Sequence, residues 1–185
     1  MKYKIPKHLL NYFESEALKH KDIETLALGL GNLNGETISV EELIFPTQNA
    51  SSTHVEDTGI DGQETQLWIS SNSQTFKRHK SQATYAVWIH SHVNYTKCFL
   101  SSVDLHIQHS FEHFYPNIIA CVVEIGDTKV ENHDFYQLSN ENFTIAFKIE
   151  DSDGNTYEGD QYLYYNAEIN PNHISYYHNK YSNVS

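Results

Sequence analysis

AVWIHSHVNYTKCFLSSVDLH, residues Ala86 to His106, decides how the rest of the chain is read. With Tyr85 before it, its first part is an apolar strand that ends by delivering His90 and His92. Residues two apart on a strand point to the same side, so both imidazoles can face one point. A polar loop follows, and then a helix that opens at Ser101 and Ser102 and carries Asp104 in its first turn. If the loop folds back, that aspartate comes over the same point. Two histidines and one carboxylate leave a fourth tetrahedral position open, which is the ligand set of a catalytic zinc and not of a closed structural one. Each piece also has a purely structural use. His-x-His is common at strand ends, and Ser101-x-x-Asp104 is a capping-box variant that satisfies free N–H groups at a helix start. The order strand, loop, helix is what joins them into one candidate site.

His90-Ser91-His92, a loop, and then Phe99 to His106 (FLSSVDLH) resemble the JAMM motif of the MPN-domain zinc metalloproteases (JAMM/MPN+), and are most like the AMSH type of deubiquitinase. The family pattern is His-x-His, seven residues, then Ser-x-x-Asp, with a proline usual after the second histidine. This chain has Val93 in place of the proline and eight residues, Val93 to Leu100, in the spacer. One added loop residue costs little chain entropy, so the ligand geometry can survive it. The family also uses a glutamate on a strand beside the zinc. Glu24, at the head of the apolar run Thr25 to Gly31, stands in the similar segment, where an acid is out of place for a core. The similarity covers about residues 22–138.

The resemblance implies an α/β, cytidine-deaminase-like MPN/JAMM fold: a mixed, mostly antiparallel central sheet flanked by helices, in a single domain over 1–185 with 139–185 as a C-terminal extension. It implies that His90, His92 and Asp104 hold Zn2+, that Glu24 is the general base, and that the Ser101 hydroxyl stabilises the oxyanion. The implied substrate is ubiquitin, in chains or conjugates. In AMSH-type relatives a histidine at the position of His106 helps bind a second, structural zinc with a Cys and two His nearer the C-terminus. Here the last cysteine is Cys121, and the later histidines are His133, His173 and His178. One of four ligands matches, so a second zinc is not expected. Two other readings stay open at this point: a metalloprotease for another ubiquitin-like modifier, and a non-catalytic MPN scaffold. Scaffolds of that kind have usually lost the metal ligands, which this chain keeps.

The 185 residues, 39% hydrophobic and 19% charged, suit one domain with a proper core. A formal net charge of -12 argues against nucleic acid, whose phosphates require Lys and Arg, and suits a partner with a basic face, as ubiquitin has. No apolar run approaches the ~20 residues of a membrane helix, and MKYKIPKHLLNYF is not a signal peptide. Two cysteines, Cys98 and Cys121, point away from a disulfide framework and towards a reducing, cytoplasmic setting. The chain lacks the modules that direct AMSH-type enzymes to endosomes. It therefore reads as free-standing or as a catalytic fragment, and its Asn, Lys and Tyr content fits a bacterial effector acting in a host cytosol.

Along the chain, the spacing of Leu9, Leu10, Phe13 and Ala17 predicts an amphipathic helix over Pro6 to His20. Glu24 to Leu30 and Thr37 to Phe45 read as strands, joined across Asn34-Gly35. Thr47 to Gly62 reads as an irregular loop, in which His54 has no role. Asp61 can cap a helix running to Ser70 or beyond, and the basic cluster Lys77 to Lys80 reads as its solvated end. The next helix runs from Ser102 to Tyr115, stopped by Pro116, with His106, His109 and His113 along one face. Asn117 to Ile125 and Val130 to Leu138 read as a hairpin about Gly126-Asp127, and Phe143 to Glu150 as a further strand. Asp151 to Asp160 lacks the bidentate glutamate of a calcium loop and reads as a turn.

Overall fold

The computed structural model of the chain describes residues 1–53, 55–57, 63–139 and 147–163. His54, Asp61, His173, His178 and the first part of the 143–150 strand lie outside them. In chain order the elements are β1 (Lys2–Ile5), α1 (Lys7–Lys19), β2 (Leu26–Asn34), β3 (Thr37–Ile44), β4 (Gln48–Ala50) and β5 (Val55–Asp57). They continue with α2 (Gln63–Asn72), α3 (Gln74–His79), β6 (Ala83–His92), α4 (Ser102–Phe114), β7 (Ile119–Ile125), β8 (Val130–Ser139), β9 (Phe147–Asp151) and β10 (Thr156–Leu163).

Eight strands form one curled sheet in the order β1-β3-β2-β6-β7-β8-β10-β9, and β9 pairs back onto β1 to close it. The sheet is mixed, as expected, with helices on both faces. Its pairings divide evenly: β1–β3, β1–β9, β6–β7 and β8–β10 are parallel, and β2–β3, β2–β6, β7–β8 and β9–β10 antiparallel. The parallel β6–β7 pair needs a crossover, and α4 supplies it.

Strand alternation sorts the core into two layers. Val87 and Ile89 of β6, with Ile119, Cys121 and Val123 of β7, face α1, whose Phe13 and Ala17 are fully buried against them. Trp88 of β6, with Ala120 and Val122 of β7, faces the opposite way, towards Leu105 and the partly buried Ile107 and Phe111 of α4. His90 and His92 continue the Trp88 series, so they lie on the α4 face. That choice of face brings both imidazoles to the side of α4, since a one-residue slip would turn them towards α1.

Several local expectations are revised. Glu24 does not open β2 but sits two residues before it. The β2–β3 hairpin turns on Gly35-Glu36, one residue later than Asn34-Gly35, with Gly35 at φ 61° and no positive φ at Glu36. Glycine first is the requirement of a two-residue turn of that kind. The loop over 47–62 is not irregular throughout: β4 and β5 pair as a small separate sheet. Its anchor is Gln48, whose amide imitates a strand backbone by accepting from Leu26 N (2.7 Å) and donating to Leu26 O (2.9 Å). The helical stretch after residue 62 breaks at Ser73, whose hydroxyl caps α3 at Phe76 N (3.2 Å) and donates to Glu42 (2.6 Å). The basic cluster at the end of α3 is partly paired, with Arg78 and His79 both on Glu41. Asp151 closes the turn into β10 by accepting from the N–H groups of Asp153 and Asn155 (2.9 Å each). No helix among the described residues is long and apolar enough to cross a membrane.

Candidate metal centre and active site

Three of the sequence-predicted residues meet at the C-terminal end of β6. His90 Nε2 lies 3.2 Å from His92 Nε2 and 3.4 Å from Asp104 Oδ1, and His92 Nε2 lies 3.6 Å from Asp104 Oδ2. Four ligands at zinc bond lengths of ~2.0–2.1 Å stand at the corners of a tetrahedron about 3.3 Å on edge. The three donors therefore already stand at about the spacing of three such corners, and the residues fit a divalent metal. All three are buried, with 0%, 4% and 7% exposure for His90, His92 and Asp104. Among the described residues no other group of three His, Cys, Asp or Glu donors comes together in this way.

The placement of Asp104 follows from the helix start. Ser101 is the N-cap, accepting from Asp104 N (3.2 Å), while Asp104 Oδ2 reaches back to accept from Ser101 N (2.8 Å). The capping box is therefore present, and it does not take Asp104 away from the imidazoles. The carboxylate that caps α4 is also the one turned onto the imidazoles. His92 is set by its other nitrogen, which lies 2.8 Å from the Lys97 carbonyl. A proton held on Nδ1 by that carbonyl leaves the Nε2 lone pair facing the site.

The eight-residue spacer runs between these anchors. Asn94 and Tyr95 both adopt left-handed backbone, at φ 56° and 58°. Tyr95 N donates to Ile125 O (3.3 Å), and its hydroxyl bonds to the Asp127 carboxylate (3.3 Å). The Lys97 ammonium pairs with Glu124 of β7, whose side chain is buried (3.3 Å). The spacer thus makes a tight double turn seated on the β7–β8 turn, and the Lys97 carbonyl reaches His92.

Glu24 is brought in by the chain leading into β2. Leu26 pairs with His90, and Thr25 and Ser91 exchange two bonds, Thr25 N to Ser91 Oγ (2.8 Å) and Ser91 N to Thr25 O (3.0 Å). Glu24 N donates to Ser51 O (2.8 Å). Continuing that register sets Glu24 beside His92, on the face of Leu26, and it is only 6% exposed.

The two acids are driven apart in proton affinity. Burial opposes ionisation of Asp104, but His90 and His92 outweigh it and hold the carboxyl well below the usual carboxylate range. Burial pushes Glu24 up to about 7, Asp104 adds to the rise, and His92 partly offsets it. For His92 burial acts downwards, yet Asp104, the Lys97 carbonyl and Glu24 together raise it. One ionised acid and one poised near neutrality is the division of labour that acid–base chemistry needs.

Beside the triad lies a mainly apolar groove of about 490 Å³ that Leu26, Leu28, Val55, Trp88, Ile107 and Phe114 help to line. His106 lies on the exposed face of α4 along this groove and joins no group of metal-capable donors among the described residues. Ser101 is half-buried at the head of α4. Reasoning from sequence passed over Trp88, Gln108 and Glu112. Trp88 stacks on His90, Gln108 bonds to Trp88, and Glu112 bonds to Gln108. The signal was present, since 88 and 90 share a strand face and 104, 108 and 112 lie at steps of four along one helix. For Gln48 and the Lys97 carbonyl the sequence carries no comparable signal.

Residues 2–117 match the family described as JAB1/Mov34/MPN/PAD-1 ubiquitin protease. Among curated relatives, AMSH-like ubiquitin thioesterase 1 of Arabidopsis thaliana is 26% identical over 120 residues, covering 64% of this chain and 21% of that protein. AMSH-like ubiquitin thioesterase 3 of the same plant is 26% identical over 161 residues, covering 80% of this chain and 29% of that protein. AMSH-like protease sst2 of Schizosaccharomyces pombe is 33% identical over 103 residues, covering 56% of this chain and 21% of that protein. The chain thus spans only 21% to 29% of the length of these relatives. A family match over more than half of the sequence fixes the kinship: the chain belongs to the JAB1/Mov34/MPN/PAD-1 ubiquitin protease family.

Proposed function

We propose that this chain is a zinc-dependent isopeptidase that hydrolyses the amide bond joining ubiquitin to a lysine side chain, in ubiquitin chains or conjugates. The observation that carries this reading is the meeting of His90 Nε2, His92 Nε2 and the Asp104 carboxylate at 3.2–3.6 Å, with Glu24 buried beside them. The substrate class rests on the relatives, whose names describe ubiquitin thioesterases and a protease.

Neutral His90 and His92 and ionised Asp104 would hold the ion. When bound, zinc supplies Lewis acidity, which lowers the pKa of a water from ~16 towards ~7 and polarises a carbonyl. Glu24 carries the proton: its carboxylate takes it from the attacking water and delivers it to the amine nitrogen as the carbon–nitrogen bond breaks. Burial raises the Glu24 carboxyl in the metal-free protein, which makes it a stronger proton acceptor than an exposed glutamate. The Ser101 oxygen is occupied as an acceptor from Asp104 N, but its hydroxyl proton is left to donate to the carbonyl oxygen as charge develops there. The groove beside Trp88 takes an extended, partly apolar peptide segment next to the scissile bond, which suits a protein tail better than a small polar substrate. The formal charge of -12 favours encounter with a basic partner surface.

The test is to measure zinc in the purified protein and then to challenge it with a panel of ubiquitin chains and ubiquitin-like precursors. The expected result is about one zinc per chain and release of free ubiquitin. Absence of bound zinc overturns the metal reading, and cleavage confined to another modifier overturns the substrate.

A further inference from the structure

We propose that Trp88 is the positioning residue for His90, held in place by Gln108 and Glu112, so that this imidazole is oriented by a ring stack where His92 is oriented by a hydrogen bond. The inference rests on the reading of the triad as a zinc site. A metal-binding histidine almost always fixes its ring by donating its second nitrogen to a carbonyl or carboxylate. His92 does so with the Lys97 carbonyl. His90 does not: its Nδ1 is buried and has no hydrogen-bond partner among the described residues. Its ring instead lies flat against the Trp88 indole, with centroids 4.6 Å apart and planes 9° from parallel.

The indole is fixed in turn. Trp88 Nε1 donates to Gln108 Oε1 at 2.5 Å, and the Phe111 ring packs on it with centroids 5.9 Å apart. Gln108 is fully buried, and its amide nitrogen donates to Glu112 Oε2 (2.9 Å) and Ile118 O (3.0 Å). An indole N–H can only donate, whereas a carbonyl can only accept, so the Gln108 amide has one orientation that satisfies its neighbours. Glu112 Oε2 also accepts from Leu138 N of β8 (2.9 Å), which ties the series to the sheet. Asp104 and Gln108 are one helical step of four apart, so a single face of α4 delivers the third ligand and clamps the ring behind the first.

The experiment compares Trp88→Leu, Trp88→Phe and Gln108→Met with the unaltered protein. Zinc affinity is read by chelator competition, and unfolding of the metal-free proteins is followed separately. His90 is also observed directly by nitrogen-15 histidine spectra of the metal-free proteins. Trp88→Leu is expected to weaken zinc binding about 10–100-fold and to average the His90 signals. Trp88→Phe, which keeps a ring face, restores most of the affinity, and Gln108→Met falls between the two. Folded Trp88→Leu that binds zinc as tightly as the unaltered protein overturns the proposal. So do equal losses for Leu and Phe, or a fall in unfolding temperature with no change in affinity. If the unaltered protein binds no zinc, the metal reading fails by itself, and the metal-free spectra still decide whether Trp88 orients His90.

Discussion

Replacing Glu24 by Gln separates the proton-carrying role proposed for this residue from its effect on the fold. The folded carboxyl sits at about 7 against an ordinary 4.5, chiefly because it is buried. The fold therefore prefers the protonated acid. Its stabilising contribution is complete below the ordinary value, fades as pH rises from 4.5, and is gone once pH passes about 7. At about 1.36 kcal/mol per unit, that interval amounts to about 3 kcal/mol lost by the metal-free protein at pH of about 8. Glutamine has nearly the same shape, does not titrate, and resembles the protonated acid. Glu24→Gln should then match the unaltered protein at pH of about 4 and exceed its stability by about 3 kcal/mol at pH of about 8. Urea unfolding of chelator-treated protein at the two pH values measures this. Equal stability differences at both values, or a variant less stable at the higher one, would refute the reasoning that Glu24 is desolvated. In the same variant zinc content should be unchanged, and hydrolysis of ubiquitin chains should fall by a factor of about 100 or more. Substantial residual turnover rejects Glu24 as the proton carrier.

Asp104→Asn removes the one anionic donor of the proposed zinc site, and zinc retained after dialysis, measured by metal analysis, should drop at least about 10-fold together with activity. Ser101→Ala should lose about 1 kcal/mol of thermal stability through the cap of α4. It should also lose about 100-fold in kcat through the missing hydroxyl proton, with zinc content nearly unchanged. Asn94→Ile places a β-branched side chain at φ 56°, where asparagine is among the better tolerated residues. It should cost about 1–2 kcal/mol in stability, and zinc affinity should fall with it as the Lys97 carbonyl moves off His92.

The site was more legible than the sheet around it, for a physical reason. His90, His92 and Asp104 are carried by local structure, one strand and one capped helix turn, and local structure leaves a periodic trace. The alternation that put both imidazoles on one face could be read directly, and it was the parallel β6–β7 register that then placed them under α4. Glu24 was found through resemblance, and what anchors its segment, Ser51 on Glu24 itself and Ser91 on the neighbouring Thr25, is distant in sequence. β1 went unread because Lys2 to Ile5 is too short to show a period, although Tyr3 is fully buried. β4 and β5 were hidden because their anchor is a glutamine side chain standing in for backbone, which no pattern of apolar residues reports. The turn at Gly35-Glu36 differs by one residue from the Asn-Gly signal because β2 carries its pairing through Asn34.

The return of β9 onto β1 has a practical consequence for anyone shortening this protein. Lys2 to Ile5 pairs with Lys148 to Asp151, so the ring cannot shut until nearly the whole described chain is present. A fragment ending after the family-matching segment at residue 117 would strip β7 from the flank of the histidine strand and leave raw edges open to self-association. Among the described residues, all eight strands of the ring lie between Lys2 and Leu163, so both ends of that span are needed to keep the rim sealed.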